Sequence, residues 1–370
     1  MSANAALRRY CNAAMLFLVG EGNKGALIAS CISYTIVKYG KGLPTMHAVN
    51  IHSDSPIGST ALDYVGNTPL FKIERFEEIP AGVELYAKAE WFNIGGSVKD
   101  RAALRIIDDA LRDGRLNSSK TLIDSTSGNT GIAYALICAV KGIPCEMVMP
   151  ENVSEERKRI IAAHGAKVTY TDPFEGSDGA IRYVRELAAQ HPEKYFYANQ
   201  YNNPSNWKAH YDTTGPEIYR QTHGRITHFV AGLGTSGTMM GVGRRLRNYN
   251  PDIELVGVQP DEPFNGLEGL KHMASAILPG IYDESLLSRN LGISTEAGYE
   301  TARDLARREG LFAGQSGGAA LHGALDVVAE LEEGVVVVLL PDGGSRYLST
   351  NLWPLPAASP LANEHHAPVE

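Results

Sequence analysis

Lys99 closes a run, Asn93, Ile94, Gly95, Gly96, Ser97, Val98, that reads as a glycine turn opening a helix, with Asp100 and Arg101 following it. An amine in the first helical turn sits at the positive end of the helix dipole, and Arg101 adds a cation beside it. Both favour the neutral, nucleophilic amine. Taken singly, a lysine here reads as an ordinary solvated side chain, so the neighbouring turns have to decide. The first of these is Ser125, Thr126, Ser127, Gly128, Asn129, Thr130, Gly131, between an apolar strand and a helix. Hydroxyls, an amide and free backbone N–H groups converging on a helix start can cradle a carboxylate or phosphate, although the same residues also make a plain capped turn.

A third turn, Gly232, Leu233, Gly234, Thr235, Ser236, Gly237, Thr238, matches G-x-G-x-x-G. The dinucleotide reading of that pattern needs an acidic residue at the end of the next strand, where Gln259 stands. The hydroxyls of Thr235, Ser236 and Thr238 suit a terminal phosphate with several acceptor oxygens better than a pyrophosphate. A fourth turn, Gly314, Gln315, Ser316, Gly317, Gly318, matches the nucleophile elbow G-x-S-x-G, with Asp342 and His365 or His366 in the chain order of a hydrolase triad. That reading is poor in context, because the apolar run before Ser316 is too short for the elbow strand.

These turns need a scaffold. From about Val83 onward, short apolar runs alternate with amphipathic stretches, the pattern of repeated βα units around mostly parallel sheet. The expected strands are Glu84 to Ala89, Thr121 to Asp124, Glu146 to Met149, Lys167 to Tyr170, Phe229 to Ala231, Glu254 to Val258 and Val335 to Leu340. The expected helices are Asp100 to Asp113, Thr130 to Val140, Glu155 to His164, Gly179 to Gln190, Met239 to Tyr249, Thr295 to Arg308 and Ala319 to Leu331. In such a sheet ligands bind where loops leave the carboxyl ends of the strands, which is where the four turns lie.

Composition narrows the function. The 370 residues are 44% hydrophobic, ample for a folded core, and the formal charge of −8 argues against a general nucleic-acid or anionic-membrane binder. Four cysteines, Cys11, Cys31, Cys138 and Cys145, show neither disulfide nor zinc spacing, so a reducing cytoplasm and no metal are expected. The apolar stretches Ala13 to Gly20 and Ala26 to Val37 fall short of the ~20 residues that span a bilayer. Arg8 and Arg9 precede the first of them, but charge follows it where a signal peptide has a small-residue cleavage site. Residues 1–55 lack clear periodicity and read as an extension of unknown role, with Met46 as an alternative start; residues 354–370 read as a frayed tail.

A lysine nucleophile, a carboxylate cradle, a monophosphate cradle and a serine in a glycine turn together describe pyridoxal-phosphate chemistry on an amino acid. From Gly66, Asn67, Thr68, Pro69, Leu70 to Tyr347, Leu348, Ser349, Thr350, the chain resembles the cysteine synthase and cystathionine β-synthase family of fold type II pyridoxal-phosphate enzymes. The resemblance implies an α/β fold of two domains: 88–200, mobile and carrying the substrate-carboxylate loop, and 56–87 with 201–353, carrying the cofactor phosphate. Lys99 would bind pyridoxal 5'-phosphate as an imine and act as the base at the substrate's α-carbon. Thr126, Ser127, Asn129, Thr130 and Gln200 would hold the substrate carboxylate, with Asn129 also beside the cofactor's phenolic oxygen. Gly234, Thr235, Ser236, Gly237 and Thr238 would hold the phosphate, and Ser316 the pyridine nitrogen. A neutral serine there makes the ring a weaker electron sink and favours loss of a β-substituent over transamination. The implied reaction is β-replacement on an activated serine through aminoacrylate, with a sulfur donor, giving L-cysteine. A homodimer is implied, and a sulfur-carrier protein is a partner seen in relatives.

Two features depart from the family pattern. Ile94 replaces the proline that usually precedes the glycines, with the lysine register intact. Lys271 stands where relatives that accept O-phosphoserine have an arginine; it keeps the charge without the bidentate fork, and a phosphate contact and a plain surface role both stay open. Cystathionine β-synthase, serine or threonine dehydratase and a catalytically idle binding paralogue are the nearby alternatives, and a hydrolase using Ser316 the distant one. A chain trimmed to begin at Met46 is expected to keep its solubility and activity, checked by soluble yield and turnover; loss of both would make the extension essential.

Overall fold

The computed structural model describes residues 60–355 except Ser127 and Ser154; the extension with Cys11, Cys31 and Met46, and the tail with His365 and His366, lie outside the described residues. Two sheets organise what is described. The larger has the order β1-β2-β10-β7-β8-β9, built from β1 (Leu70–Ile73), β2 (Val83–Ala89), β7 (His228–Gly232), β8 (Glu254–Pro260), β9 (Arg289–Ile293) and β10 (Gly334–Leu340). All its pairs are parallel except β1 with β2. The smaller is all parallel, in the order β5-β4-β3-β6, from β3 (Thr121–Ser125), β4 (Cys145–Pro150), β5 (Lys167–Thr171) and β6 (Tyr195–Tyr197).

Helices cover both faces of each sheet, which is why the central strands are apolar without alternation. In β10, Val336, Val338 and Leu340 enter one core with α9 (Gln315–Ala329), while Val337 and Leu339 enter another with α7 (Gly237–Tyr249). The smaller sheet packs α1 (Lys99–Arg112) and α2 (Asn129–Lys141) on one side and α4 (Gly176–Gln190) on the other. Chain ends of helices follow local chemistry: Ser294 caps α8 (Thr295–Glu309) by accepting from the Ala297 amide, and Gly310 closes it at φ +71°. Cys138 and Cys145 are buried and free. Among the described residues, no helix is long and apolar enough to cross a membrane, and no cluster of three or more His, Cys, Asp or Glu could hold a metal.

All seven expected strands and seven expected helices form, the helix α3 at Glu155–Ala163 among them, with ends shifted by a few residues. Three strands and two helices went unanticipated. Strands β1, β6 and β9 are short and lie at sheet edges, so their apolar runs are brief. Helices α5 (Pro204–Asp212) and α6 (Thr214–Gln221) bury Ser205, Asn206, His210, Thr214 and Glu217, polar side chains that leave no hydrophobic stripe to read.

The buried polar residues of α6 belong to a charge cluster. Arg101 is 3% exposed and forks onto Glu90, Nε to Oε2 at 2.7 Å and Nη2 to Oε1 at 2.9 Å. The same guanidinium donates to Glu217 Oε1 at 2.7 Å and Oε2 at 2.8 Å. Lys88 Nζ, fully buried, donates to Glu217 at 2.8 Å, to the Thr68 carbonyl at 2.7 Å and to Gln221 at 2.9 Å. Two cations and two carboxylates balance. Burial alone would raise the Glu217 carboxyl, but the hydrogen bonds and charge of Arg101 prevail and hold it at about 2, against an ordinary 4.5. Its contribution to stability is therefore present above about pH 4.5 and lost as pH falls toward about 2. Glu217→Gln should leave the buried cations short of one carboxylate, cost ~3–5 kcal/mol in urea unfolding at neutral pH, and flatten that acid-side dependence; a loss below about 1 kcal/mol would make the cluster incidental.

Candidate active site

The four glycine turns all leave the carboxyl ends of strands or start helices, and the fold brings them around one cleft of about 340 Å³ and a narrower recess continuous with it. Lys99, Thr126, Asn129, Thr130, Gln200, Gly234, Thr235 and Lys271 line the cleft. Ser236, Gly237, Thr238 and Ser316 line the recess, together with Lys99 and Asn129. Ser127 lies outside the described residues.

Lys99 is the first residue of α1 and half-buried. Burial pulls its amine below the usual lysine range, opposed by the carboxylates of Asp342 and Glu90. The expectation that Arg101 would help is corrected, since Arg101 turns away into the buried charge cluster and is neutralised there. The turn before Lys99 is held by Asp100, whose Oδ2 accepts from the Gly95 amide at 2.6 Å, while the Val98 amide donates to the Pro341 carbonyl at 2.9 Å. Burial pushes Asp100 up to about 7, and its Oδ1 has no partner.

Thr126 and Thr130 are tied into their surroundings by side-chain hydrogen bonds. Thr126 Oγ1 accepts from the Gly128 and Gly131 amides at 3.3 and 3.1 Å, and Thr130 Oγ1 donates to Gln200 Oε1 at 2.8 Å. Asn129 Nδ2 donates to Asp342 Oδ2 at 2.6 Å, its Oδ1 accepts from Arg346, and Arg346 also donates to the Gly95 carbonyl. Tyr347 Oη completes the group with a 2.7 Å bond to Asp342 Oδ2. The residues Asp342, Arg346 and Tyr347 were legible as part of a motif, but their grip on Asn129 across more than two hundred positions left no local signal.

The turn at 232–238 is built for close backbone approach. Ser236 adopts φ +66°, and it precedes the first amides of α7. A Cβ on Gly234 would come within 2.1 Å of the Gly269 carbonyl oxygen, and one on Gly237 within 1.9 Å of Asn206 Oδ1. Asn206 Nδ2 in turn donates to Thr235 Oγ1 at 3.0 Å. Beneath lies His210, bonded to Thr214 at 2.9 Å and 3.4 Å from Thr238 Oγ1; burial pushes it down to about 3, so it is neutral. The Ser236 hydroxyl is buried with no partner. An orphaned hydroxyl and the first amides of a helix around a recess fit a phosphate monoester. Gln259 serves the fold by accepting from the Met273 amide at 2.9 Å, as expected against a dinucleotide.

Ser316 is the second residue of α9, with its Oγ 3.9 Å from where a Gly269 Cβ would stand. The run leading to it forms only an isolated bridge, Ala313 with Gly343, and among the described residues no histidine lines its recess; His365 and His366 lie outside them. The hydrolase alternative is thus corrected: there is no elbow strand, and Asp342 is committed to Asn129 and Tyr347. Among the cleft residues that sequence reasoning missed, alongside Asn152, Val153 and Ser177, are Arg157 of α3 and Glu268 of the loop after β8, which are joined by an ion pair.

The pyridoxal-phosphate dependent enzyme family model matches residues 61–342. Cysteine synthase of Aquifex aeolicus is 56% identical over 300 residues, 80% of this chain and 92% of that protein. Cysteine synthase B of Escherichia coli is 43% identical over 80% of this chain and 96% of its own length. Among solved structures, cysteine synthase (OASS) of Entamoeba histolytica superposes with a TM-score of 0.77 at 33% identity, over 83% of this chain and 94% of that one. An O-ureido-L-serine synthase superposes with a TM-score of 0.75 at 37% identity, over 80% and 95%.

The raised Asp100 carboxyl makes a testable claim about the turn. Because its folded value of about 7 lies above an ordinary 3.8, stability is lost as pH rises between the two. Asp100→Asn keeps an acceptor for the Gly95 amide but removes the titration. Relative to the parent, its unfolding free energy should improve by up to ~1.4 kcal/mol per pH unit between about pH 5 and about pH 7 in urea titrations. Parallel pH profiles would contradict this.

Proposed function

Since the chain belongs to the pyridoxal-phosphate dependent enzyme family, we propose that it is a cysteine synthase, replacing the β-substituent of an activated L-serine with sulfur to give L-cysteine. The observation that carries the reading is a half-buried lysine at a helix start, Lys99, sharing one cleft with a hydroxyl-and-amide turn and with a recess suited to a phosphate. The names of the similar proteins, cysteine synthase among them, support the same substrate class.

Pyridoxal 5'-phosphate, when bound, supplies an aldehyde for amines and an electron-withdrawing ring that acidifies the substrate's α-proton. Gly234 to Thr238 would hold its phosphate through amides and hydroxyls, the orphaned Ser236 Oγ gaining a partner there. Ser316 would meet the ring nitrogen with a neutral hydroxyl, and Asn129, pinned by Asp342 and Arg346, would serve the phenolic oxygen. Lys99 Nζ, kept below its usual range by burial, accepts the α-proton. Thr126, Ser127, Asn129, Thr130 and Gln200 bind the substrate carboxylate; the preset Thr130–Gln200 bond orients the last two of them. Lys271 faces the β-substituent as a point charge, compatible with either O-acetylserine or O-phosphoserine. The smaller-sheet body, 88–200, is the moving substrate side, and 56–87 with 201–353 the cofactor side. The working form is a cytoplasmic homodimer using sulfide, or sulfur from a carrier protein.

Visible absorbance tests the reading. The holoenzyme should show a cofactor band that moves on adding O-acetyl-L-serine or O-phospho-L-serine and returns with sulfide, while cysteine accumulates. Response to L-serine with homocysteine alone would make it a cystathionine β-synthase, and pyruvate release without need of sulfide a dehydratase. Borohydride reduction followed by peptide mass analysis should find the pyridoxyl group on Lys99. Lys99→Ala should lose that label and at least ~10²–10⁴ in rate; a labelled lysine elsewhere would overturn the assignment.

A further inference from the structure

Beyond Lys99, the basic and acidic side chains lining the cleft among the described residues are Arg157, Glu268 and Lys271. Arg157 comes from α3, beside the smaller sheet, whereas Glu268 and Lys271 come from the loop after β8 of the larger. The three therefore face a substrate from opposite walls. Arg157 Nη1 donates to Glu268 Oε2, and the guanidinium carbon lies 5.3 Å from the centre of the Tyr347 ring. The two partners are unequal, with the arginine side chain 8% accessible and the glutamate 43%.

The loop carrying Glu268 is anchored. Its own amide donates to Gln315 Oε1 at 3.0 Å, next to Ser316, and the Lys271 amide donates to the Leu233 carbonyl at 2.8 Å. Gln315 Nε2 is itself held by Tyr299 Oη at 2.7 Å. Lys271 Nζ sits 5.0 Å from the Tyr201 ring and makes no ion pair among the described residues; Asp178 is the carboxylate that acts on it, from a distance. The outer cleft thus presents two cations and one carboxylate, with the carboxylate spent on the arginine.

We propose that Glu268 is a specificity-determining residue: paired with Arg157 across the cleft, it leaves Lys271, apart from Lys99, as the one cleft cation among the described residues without a carboxylate partner and so selects neutral or singly charged β-substituents and sulfur donors over doubly charged ones. The inference rests on the β-replacement reading above. A dianion such as a phosphate ester or thiosulfate would meet the Glu268 carboxylate where two cations would otherwise receive it. Like charge in a cleft of reduced dielectric discriminates strongly, whereas an acetyl ester and hydrosulfide avoid most of that cost. The pair also ties the two walls, so a ligand that displaces it must replace the contact.

The test compares the holoenzyme with Glu268→Gln, Arg157→Gln and the double variant, each checked for cofactor content and melting temperature. In Glu268→Gln the ratio of kcat/KM for O-phosphoserine over O-acetylserine, and for thiosulfate over sulfide, should rise about tenfold or more, and the rise should vanish when Arg157→Gln is added. Sulfate gives a readout apart from turnover: titrated against the cofactor absorbance, it should bind Glu268→Gln about tenfold more tightly than the parent, and the gain should shrink with salt. Unmoved ratios and sulfate affinities, a rise that survives in the double variant, or a parent that already prefers O-phosphoserine would each overturn the proposal. A parent that turns over none of these donors would instead overturn the β-replacement reading.

Discussion

The placement of Lys99 depends on an arginine two residues further along the same helix. Arg101 cannot leave its cluster without stranding Glu90 and Glu217 in the interior, and the fork it makes with them has one geometry. Such a cluster gives little net stability over apolar residues of the same volume, because desolvating four charges consumes most of the attraction. Its value lies in position. The cluster ties together Thr68 and Lys88, which flank β1 and lie on β2, with the start of α1 and with α6, so the first turn of α1 is fixed from behind while Lys99 faces forward. The Gly66-to-Leu70 stretch is part of the same device: the Asn67 amide donates to Glu217 and the Gly66 amide to Asn93, which in turn holds Glu90.

In front of α1 the design principle reverses, and polar groups are left short of partners. Ser236 has a buried hydroxyl without a bond, and so does Asp342 an oxygen. The turn that carries Ser236 is nonetheless rigid, wedged by Gly234 against the Gly269 carbonyl and by Gly237 against Asn206, so the unmet capacity is stored in a fixed place. Buried polar atoms without a partner also occur elsewhere, at Thr171, Tyr282 and Asn290 for example, but Ser236 is the one that lines the recess, so its hydroxyl is the deficit a phosphate there would fill.

How much of this the sequence disclosed follows from the range of each interaction. Strands buried on both faces, such as Val335 to Leu340, announce themselves as apolar runs, and the site turns announce themselves because glycine, serine and threonine cluster within seven or so residues of a strand end. What stayed hidden was long-range and polar. Helices α5 and α6 escaped because they bury Asn206, His210 and Glu217 in place of a hydrophobic stripe. Arg101 read as a charge acting on Lys99, since its carboxylates lie 11 residues upstream and 116 downstream. The Arg157–Glu268 pair joins positions 111 apart, one in helix α3 and one in the loop after β8, and nothing local to either residue marks the other as its partner.

The electrostatics around Lys99 show why its carboxylate neighbours must be occupied elsewhere. A base in this reaction has to be a neutral amine at one moment and an ammonium at the next, so neither form can be too stable. Burial alone would pin it neutral, and a carboxylate in direct contact would pin it charged. Lys99 has neither extreme: it makes no ion pair among the described residues, yet Asp342 and Glu90 both raise its proton affinity against the effect of burial. Each of those carboxylates is already engaged, Asp342 by Asn129 and Tyr347, Glu90 by Arg101, Thr68 and Asn93. Their hydrogen bonds hold them at a remove, where their field steadies the protonated amine without capturing it. The same bonds fix Asn129 and the start of α1, so the groups that set the basicity of Lys99 are also the ones that aim it.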